Sequence, residues 1–165
     1  MKKTVLDKEL AIALEEALYP RRGGEYELKK YLRARGAEVE DVSNNPAYWY
    51  RDIDLIADGV NIEVKWDGVM ATTGNIYIET VSNMEKSKPG WFEFCEADKL
   101  YYGDARNKEF YIFDFPQLKK YVEEHKKEFK EKIAADTNKH SLGYIIPINT
   151  LTDLYTTISV AEYSI

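Results

Sequence analysis

The sequence predicts an α/β domain in which helices flank a run of strands. Three observations lead there: a length of 165 residues, helical apolar spacing in the first third of the chain, and short alternating apolar runs beyond it. At roughly 150 residues per domain, the chain 1–165 reads as a single unit able to bury its own core.

Leu6, Leu10, Leu14 and Ala17/Leu18 predict an amphipathic helix over 4–18, with Thr4 and Asp7 as cap and first-turn acid and Pro20 as its stop. Gly23-Gly24 opens a second helix that carries Leu28, Tyr31 and Leu32 on one face and stops at Gly36, a left-handed cap. A short strand follows from Ala37 to Val42. Ser43-Asn44-Asn45-Pro46 reads as a loop, and strands from Asp52 to Ala57 and from Val60 to Lys65 turn around Asp58-Gly59. Asn75 to Val81 is another strand, followed by a loop with Lys86, Lys88, Pro89 and Gly90 and a short helix from Trp91 to Cys95. Lys99 to Tyr102 and Phe110 to Phe113 read as strands, and a long helix runs from Pro116 to about Ala135. Tyr144-Ile145-Ile146 and Ile158-Ser159-Val160 make a β-like extension over 140–165, which leaves a core of about 23–135.

With 44% hydrophobic and 13% aromatic residues, the composition excludes a disordered or low-complexity chain. The single cysteine, Cys95, excludes an internal disulfide and a thiolate zinc site and fits a reducing compartment. No apolar stretch approaches the roughly 20 residues that span a bilayer, so no membrane partner is expected. Met1-Lys2-Lys3 resembles the start of a signal peptide, but Asp7, Glu9, Glu15 and Glu16 interrupt the apolar region that should follow, and the expected location is cytoplasmic. The net charge of −6 argues against a charge-driven nucleic-acid binder while leaving open an enzyme with a different local surface. Six acids against two bases between Asp41 and Asp67 place −4 of that charge in one short stretch.

That stretch contains the predicted hairpin. If Asp58-Gly59 is its two-residue turn, Ala57 pairs with Val60, Leu55 with Ile62 and Ile53 with Val64, giving one wholly apolar face. The other face pairs Ile56 with Asn61, Asp54 with Glu63 and Asp52 with Lys65. Two carboxylates directly opposite each other repel, and a divalent cation would offset the repulsion. Oxygen donors suit Mg²⁺, with Mn²⁺ as a substitute, rather than zinc. Lys65, one pleat beyond Glu63, is placed to orient or deprotonate a metal-bound water or to neutralise charge developing on a phosphate, and the Val64 carbonyl is a further candidate metal ligand.

Asp54, an eight-residue spacer and Glu63-Val64-Lys65 resemble the signature of the PD-(D/E)XK nuclease superfamily. The resemblance implies a restriction-endonuclease-like core, a mixed β-sheet flanked by α-helices, and a Mg²⁺-dependent nuclease whose partner is DNA. The helix opening Gly24-Glu25-Tyr26-Glu27-Leu28 is similar to the first helix of archaeal-type Holliday junction resolvases, where a glutamate joins the metal site. Glu25 is the matching residue, and it also lies nearer the Leu28/Leu32 stripe than Glu27 does. A first-turn glutamate is equally a helix-dipole acid. The stretch Thr73 to Glu79, with Ser82-Asn83, Pro89-Gly90-Trp91 and Ala97-Asp98, is similar to phage and prophage nucleases of the superfamily. A homodimer is implied by the resolvase resemblance alone. Ile53 stands where the family name has proline.

The expected catalytic set is therefore Lys65, Asp54, Glu63 and Glu25, and the expected metal ligands are Asp54, Glu63, Val64 and Glu25. Asp52 shares the face and has an ion-pair reading with Lys65, and Glu79, on a strand face with Tyr77, reads as an exposed strand acid ahead of an extra metal ligand. His125 and His140 lack metal-like spacing and read as surface residues. Tyr48-Trp49-Tyr50 reads as packing under a loop ahead of a base-stacking platform. Lys86, Lys88 and Arg106 are candidate phosphate contacts. The rival expectation is a non-catalytic protein on the same scaffold, such as a phage-encoded acidic inhibitor of a host enzyme that mimics DNA.

Overall fold

The computed structural model describes residues 4–18, 23–136 and 139–161. The protein is mixed α/β. Its main sheet has six strands, β1 (Val39–Asp41), β2 (Leu55–Ala57), β3 (Val60–Asp67), β6 (Lys99–Asp104), β7 (Glu109–Asp114) and β10 (Tyr155–Ser159), in the order β1-β2-β3-β6-β7-β10. Only β3 and β6 run parallel; every other neighbouring pair is antiparallel. A second, antiparallel sheet has the order β5-β4-β9-β8, from β4 (Asn75–Asn83), β5 (Lys88–Pro89), β8 (Lys130–Asp136) and β9 (Lys139–Pro147).

The helices are α1 (Val5–Leu18), α2 (Gly23–Ala34), α3 (Pro46–Trp49), α4 (Met70–Thr73), α5 (Trp91–Phe94) and α6 (Phe115–His125). In α1 the expected cap is present as a reciprocal pair: the Asp7 N–H donates to Thr4 Oγ1 and the Thr4 N–H donates to Asp7 Oδ2, both at 3.1 Å. Its leucine stripe does not face a core, for Leu6, Leu10 and Leu14 are all exposed. Pro20 lies outside the described residues. Helix α2 ends as expected at Gly36, with φ +87° and the Ala37 N–H returning to the Leu32 carbonyl.

Alternation along β3 and β6 sorts their side chains onto two faces. Ile62 and Val64 join Leu55, Tyr101 and Phe110 under Leu28 and Tyr31 of α2. On the opposite face, Leu100 and Tyr102 pack with Ile76, Ile78 and Ile146 of the second sheet and with Trp91, Phe92, Phe115 and Leu118. Glu63 and Lys65 align with Leu100 and Tyr102 across the parallel ladder, so they emerge on this second, covered face. In the last part of the described chain, β9 is an inner strand of the second sheet, and β10 closes one edge of the first.

Three expectations need correction. The helix expected from Pro116 to Ala135 stops at His125, and β8 occupies Lys130–Asp136, where Glu131 pairs with Tyr144 and Ile133 with Leu142. Its Lys/Glu/Ala composition favours a helix locally, but the ladder offered by β9 decides the outcome. The segment after Asn45 is not only loop: Pro46–Trp49 is a helical turn with Asn45 as its N-cap, the Asn45 side chain accepting from the Ala47 N–H at 3.0 Å. Finally, β2 begins at Leu55 rather than Asp52.

Close approach to Trp66 distinguishes the glycines. A Cβ at Gly103 would overlap the Trp66 ring and lie 2.8 Å from Phe110, whereas a Cβ at Gly68 meets nothing. Gly103→Ala is therefore expected to cost about 2 kcal/mol by overpacking, and Gly68→Ala to stay within about 0.5 kcal/mol. Urea denaturation of the two variants beside the wild type measures the difference, and equal midpoints would contradict the packing described.

Candidate active site

The hairpin forms as expected at its tip. Leu55 pairs with Ile62, Ile56 with Asn61 and Ala57 with Val60, and Asp58 and Gly59 take φ of +47° and +80°, as a tight turn between twisted strands requires. The regular pairing then stops, with the Asp54 N–H still donating to the Ile62 carbonyl at 2.9 Å. Ile53–Val64, Asp54–Glu63 and Asp52–Lys65 are not strand pairs, because α3 ends in a left-handed cap that occupies this segment. Asp52 has φ +52°, its N–H bonds to the Trp49 carbonyl at 3.2 Å, and the Ile53 N–H returns to the Tyr48 carbonyl at 3.4 Å.

The consequence falls on Asp54. Where a backbone carbonyl would have met the Val64 N–H, the Asp54 carboxylate accepts it instead, Oδ2 lying 2.9 Å away. An extended residue directs its carbonyl to the same side as its N–H, so the Val64 carbonyl also faces Asp54. At Val64, β3 has β6 on one side, and on the other its partner β2 ends at Leu55. The Val64 side chain is in the core, as expected.

Glu63 is 2% exposed, and its Oε1 lies 2.7 Å from Lys65 Nζ. Lys65 also sits 3.8 Å from Asp52 Oδ2 and 4.6 Å from the centre of the Trp91 ring. Glu63 Oε2 and Asp52 Oδ2 are buried without a hydrogen-bond partner. The charges of Asp54 and Asp52 act on Glu63. Glu25, in the first turn of α2, comes from the other face of the sheet; α2 can approach because Gly24 leaves room against Val64 and Trp66.

These groups perturb one another. Burial pushes the Asp54 carboxyl up to about 6; the Val64 N–H opposes the rise and the charge of Glu25 adds to it. Glu63 is raised well above the usual carboxylate range, mainly by burial, and Glu25 and Asp52 are raised for the same reason. Burial by itself would lower the Lys65 ammonium, but Glu63, Asp52 and Asp54 outweigh it and hold it above the ordinary value. The surrounding acids therefore favour the charged form of Lys65.

The structure thus brings Asp54, Glu63, Lys65 and Asp52 together, with Glu25 close enough for its charge to act on Asp54. Trp91, beneath Lys65, is a member of the site that sequence reasoning did not assign a role. Gly90 makes its position possible: a Cβ there would overlap the Glu79 carbonyl, and the Gly90 N–H bonds to Thr80 O at 2.8 Å. Glu79 itself belongs to β4 of the second sheet. The Cys95 thiol lies 3.5 Å from the Asp52 carbonyl, and burial pushes it up to about 12. His140 pairs with Glu85, and His125 stacks on Tyr121. Arg106 bonds Thr72, and Lys86 and Lys88 are exposed around β5. Trp49 and Tyr50 do not pack under a loop as expected; both are exposed, with the Trp49 indole N–H held by Ser43 O.

No family model, curated protein or solved structure matches the chain. Among the described residues, no three His, Cys, Asp or Glu side chains form a ready-made metal-binding group, and no helix is long and apolar enough to cross a membrane.

Between about pH 4 and about pH 6 an unfolded Asp54 has released its proton while the folded one retains it, so stability falls as pH rises through that window and the loss persists above it. Asp54→Asn removes the loss. In chelator at pH 8 the variant is expected to be more stable by about 1–2 kcal/mol, with the gain gone near pH 4. Urea midpoints at the two pH values check this, and a variant no more stable at pH 8 would contradict it.

Proposed function

We propose that this protein is a Mg²⁺-dependent nuclease hydrolysing DNA phosphodiester bonds, on a scaffold resembling the PD-(D/E)XK superfamily. The observation that carries the reading is the buried, unpartnered Glu63 Oε2 beside Asp54, in a group where four carboxylates (Glu25, Asp52, Asp54 and Glu63) face one lysine. An orphaned carboxylate oxygen in the interior is costly, and a cation is the chemical partner it lacks. The all-oxygen donor set fits Mg²⁺ or Mn²⁺.

Asp54, Glu63 and the Val64 carbonyl would hold the ion, with Glu25 approaching from α2. When bound, the ion supplies Lewis acidity and a water of lowered pKa. Asp54 is oriented for this by the Val64 N–H, and Glu63 by its place in the interior of the sheet. Lys65, held charged, is suited to stabilise negative charge on a phosphate oxygen in the transition state. The rival reading, an acidic DNA mimic, has no need of a lysine among its acids, where Lys65 lies 2.7 Å from Glu63 and 3.8 Å from Asp52. A homodimer, DNA as the partner and a cytoplasmic location belong to the same proposal.

The test is cleavage of labelled duplex, single-stranded and four-way-junction DNA with Mg²⁺, Mn²⁺ or EDTA. Metal-dependent cutting is expected, reduced about a hundredfold or more in Asp54→Ala and in Lys65→Ala. Folded wild-type protein that cuts none of these substrates with either metal would transfer the reading to the non-catalytic binding protein.

A further inference from the structure

Among the described residues, β8 forms the longest edge of either sheet. The other edge strands are short, β1 having 3 residues, β5 only 2 with Pro89 among them, and β10 having 5, whereas β8 runs for 7. Shortness and proline keep a sheet edge from pairing, and β8 has neither. Its partner β9 shows which of its backbone groups face outward. His140, directly opposite Ala135, donates its N–H to Glu85 Oε2 at 3.3 Å, and its carbonyl accepts the Met84 N–H at 2.8 Å, so its backbone turns away from β8. Opposed residues of an antiparallel pair both turn their backbone groups into the ladder or both away from it, alternately along the strand. The β8–β9 register is unbroken, so Ala135, Ile133 and Glu131 direct their N–H and carbonyl groups to the open edge, while Lys132 and Ala134 direct theirs to β9.

An apolar row ends at the same place. Directly opposed residues share a face, so Pro89, Val81, Leu142 and Ile133 line up across the four strands of the second sheet, and Ile133, the last of them, is 55% exposed. We infer that β8 is a self-association edge, on which a second copy of this chain pairs antiparallel about a two-fold axis at Ile133, joining the two sheets into one. The inference gives the homodimer proposed above an interface, on grounds independent of the nuclease reading. A two-fold axis sets one residue opposite its own copy, and the charges of Lys130-Glu131-Lys132-Ile133-Ala134-Ala135-Asp136 select which. Centring on Glu131 or Lys132 opposes like charges. Centring on Ala134 leaves Glu131 beyond the end of the paired strand. Centring on Ile133 joins the two apolar rows, sets Lys130 of one copy opposite Asp136 of the other, and brings every outward-facing residue into a hydrogen-bonded pair, Ile133 with Ile133 and Glu131 with Ala135 in both directions. The charges that deter other strands from this edge are matched in this register alone.

The experiment is sedimentation velocity of the full chain over a range of concentrations, without DNA or metal, for wild type, Ile133→Lys, Lys130→Glu, Asp136→Lys and the double variant Lys130→Glu/Asp136→Lys, with circular dichroism to verify that each is folded. The wild type is expected to dimerise reversibly. Each single charge reversal should weaken the dimer about tenfold, the double variant should return to within about threefold of wild type, and Ile133→Lys should remain monomeric. Amide exchange supplies a second readout: the Glu131 and Ile133 amides should gain protection as concentration rises, while those of Lys132 and Ala134 are already protected in the monomer. A wild type monomeric at every concentration would overturn the inference and the homodimer with it, leaving the nuclease reading untouched. A dimer that tolerates Ile133→Lys, or whose charge reversals do not compensate one another, would place the interface elsewhere and overturn the inference alone. Should Ile133→Lys fail to fold, the charge-reversal set and amide exchange still decide the question.

Discussion

A carboxylate almost wholly removed from water lies on the long strand β3, and its contact with Lys65 is the constraint around which the surrounding structure is arranged. An isolated buried charge costs several kcal/mol in a protein interior, so Glu63 is tolerable only with a cation at hand and with some of its charge suppressed. Both conditions are met. Lys65 follows two residues later and therefore emerges on the same face, while burial raises the Glu63 pKa. The face they share is closed by the second sheet and by α5, which places the Trp91 ring under the ammonium.

The second element of the site depends on where a strand ends. A β2 running from Asp52 would have satisfied Val64 with a backbone carbonyl and set Asp54 in a regular ladder position. Instead the short helix α3 finishes in a left-handed turn at Asp52, the ladder starts only at Leu55, and the free Val64 N–H is taken by the Asp54 carboxylate. One irregularity thereby orients the Asp54 carboxylate and brings Asp52 within 3.8 Å of Lys65. A regular hairpin would also have placed Asp54, Glu63 and Lys65 near one another, but the pairing it requires ends at Leu55.

Much of this was legible in the residues because it is local. The Asp58-Gly59 turn settles which residues oppose one another at the hairpin tip, and period-two alternation then assigns Glu63 and Lys65 to one face and Val64 to the other. Thr4 with Asp7, and Gly36, mark helix ends through side-chain and backbone chemistry spanning a few residues. The Asn45-Pro46 pair carried a readable helix-start signal as well, but it is equally a loop signature, and only its surroundings distinguish the two.

The tertiary structure decided whatever required a distant partner. Lys130–Asp136 became a strand because β9 stood ready to pair with it. Burial of Glu63 came from the second sheet and α5, and Trp91 reached Lys65 because Gly90 lets the chain pass close to Glu79. The sequence by itself determined the α/β class, the hairpin and the acid-acid-lysine set, since spacing and turn chemistry act over a few residues. Burial, charge perturbation and the pairing of remote segments depend on what the rest of the chain brings alongside, which no local pattern encodes.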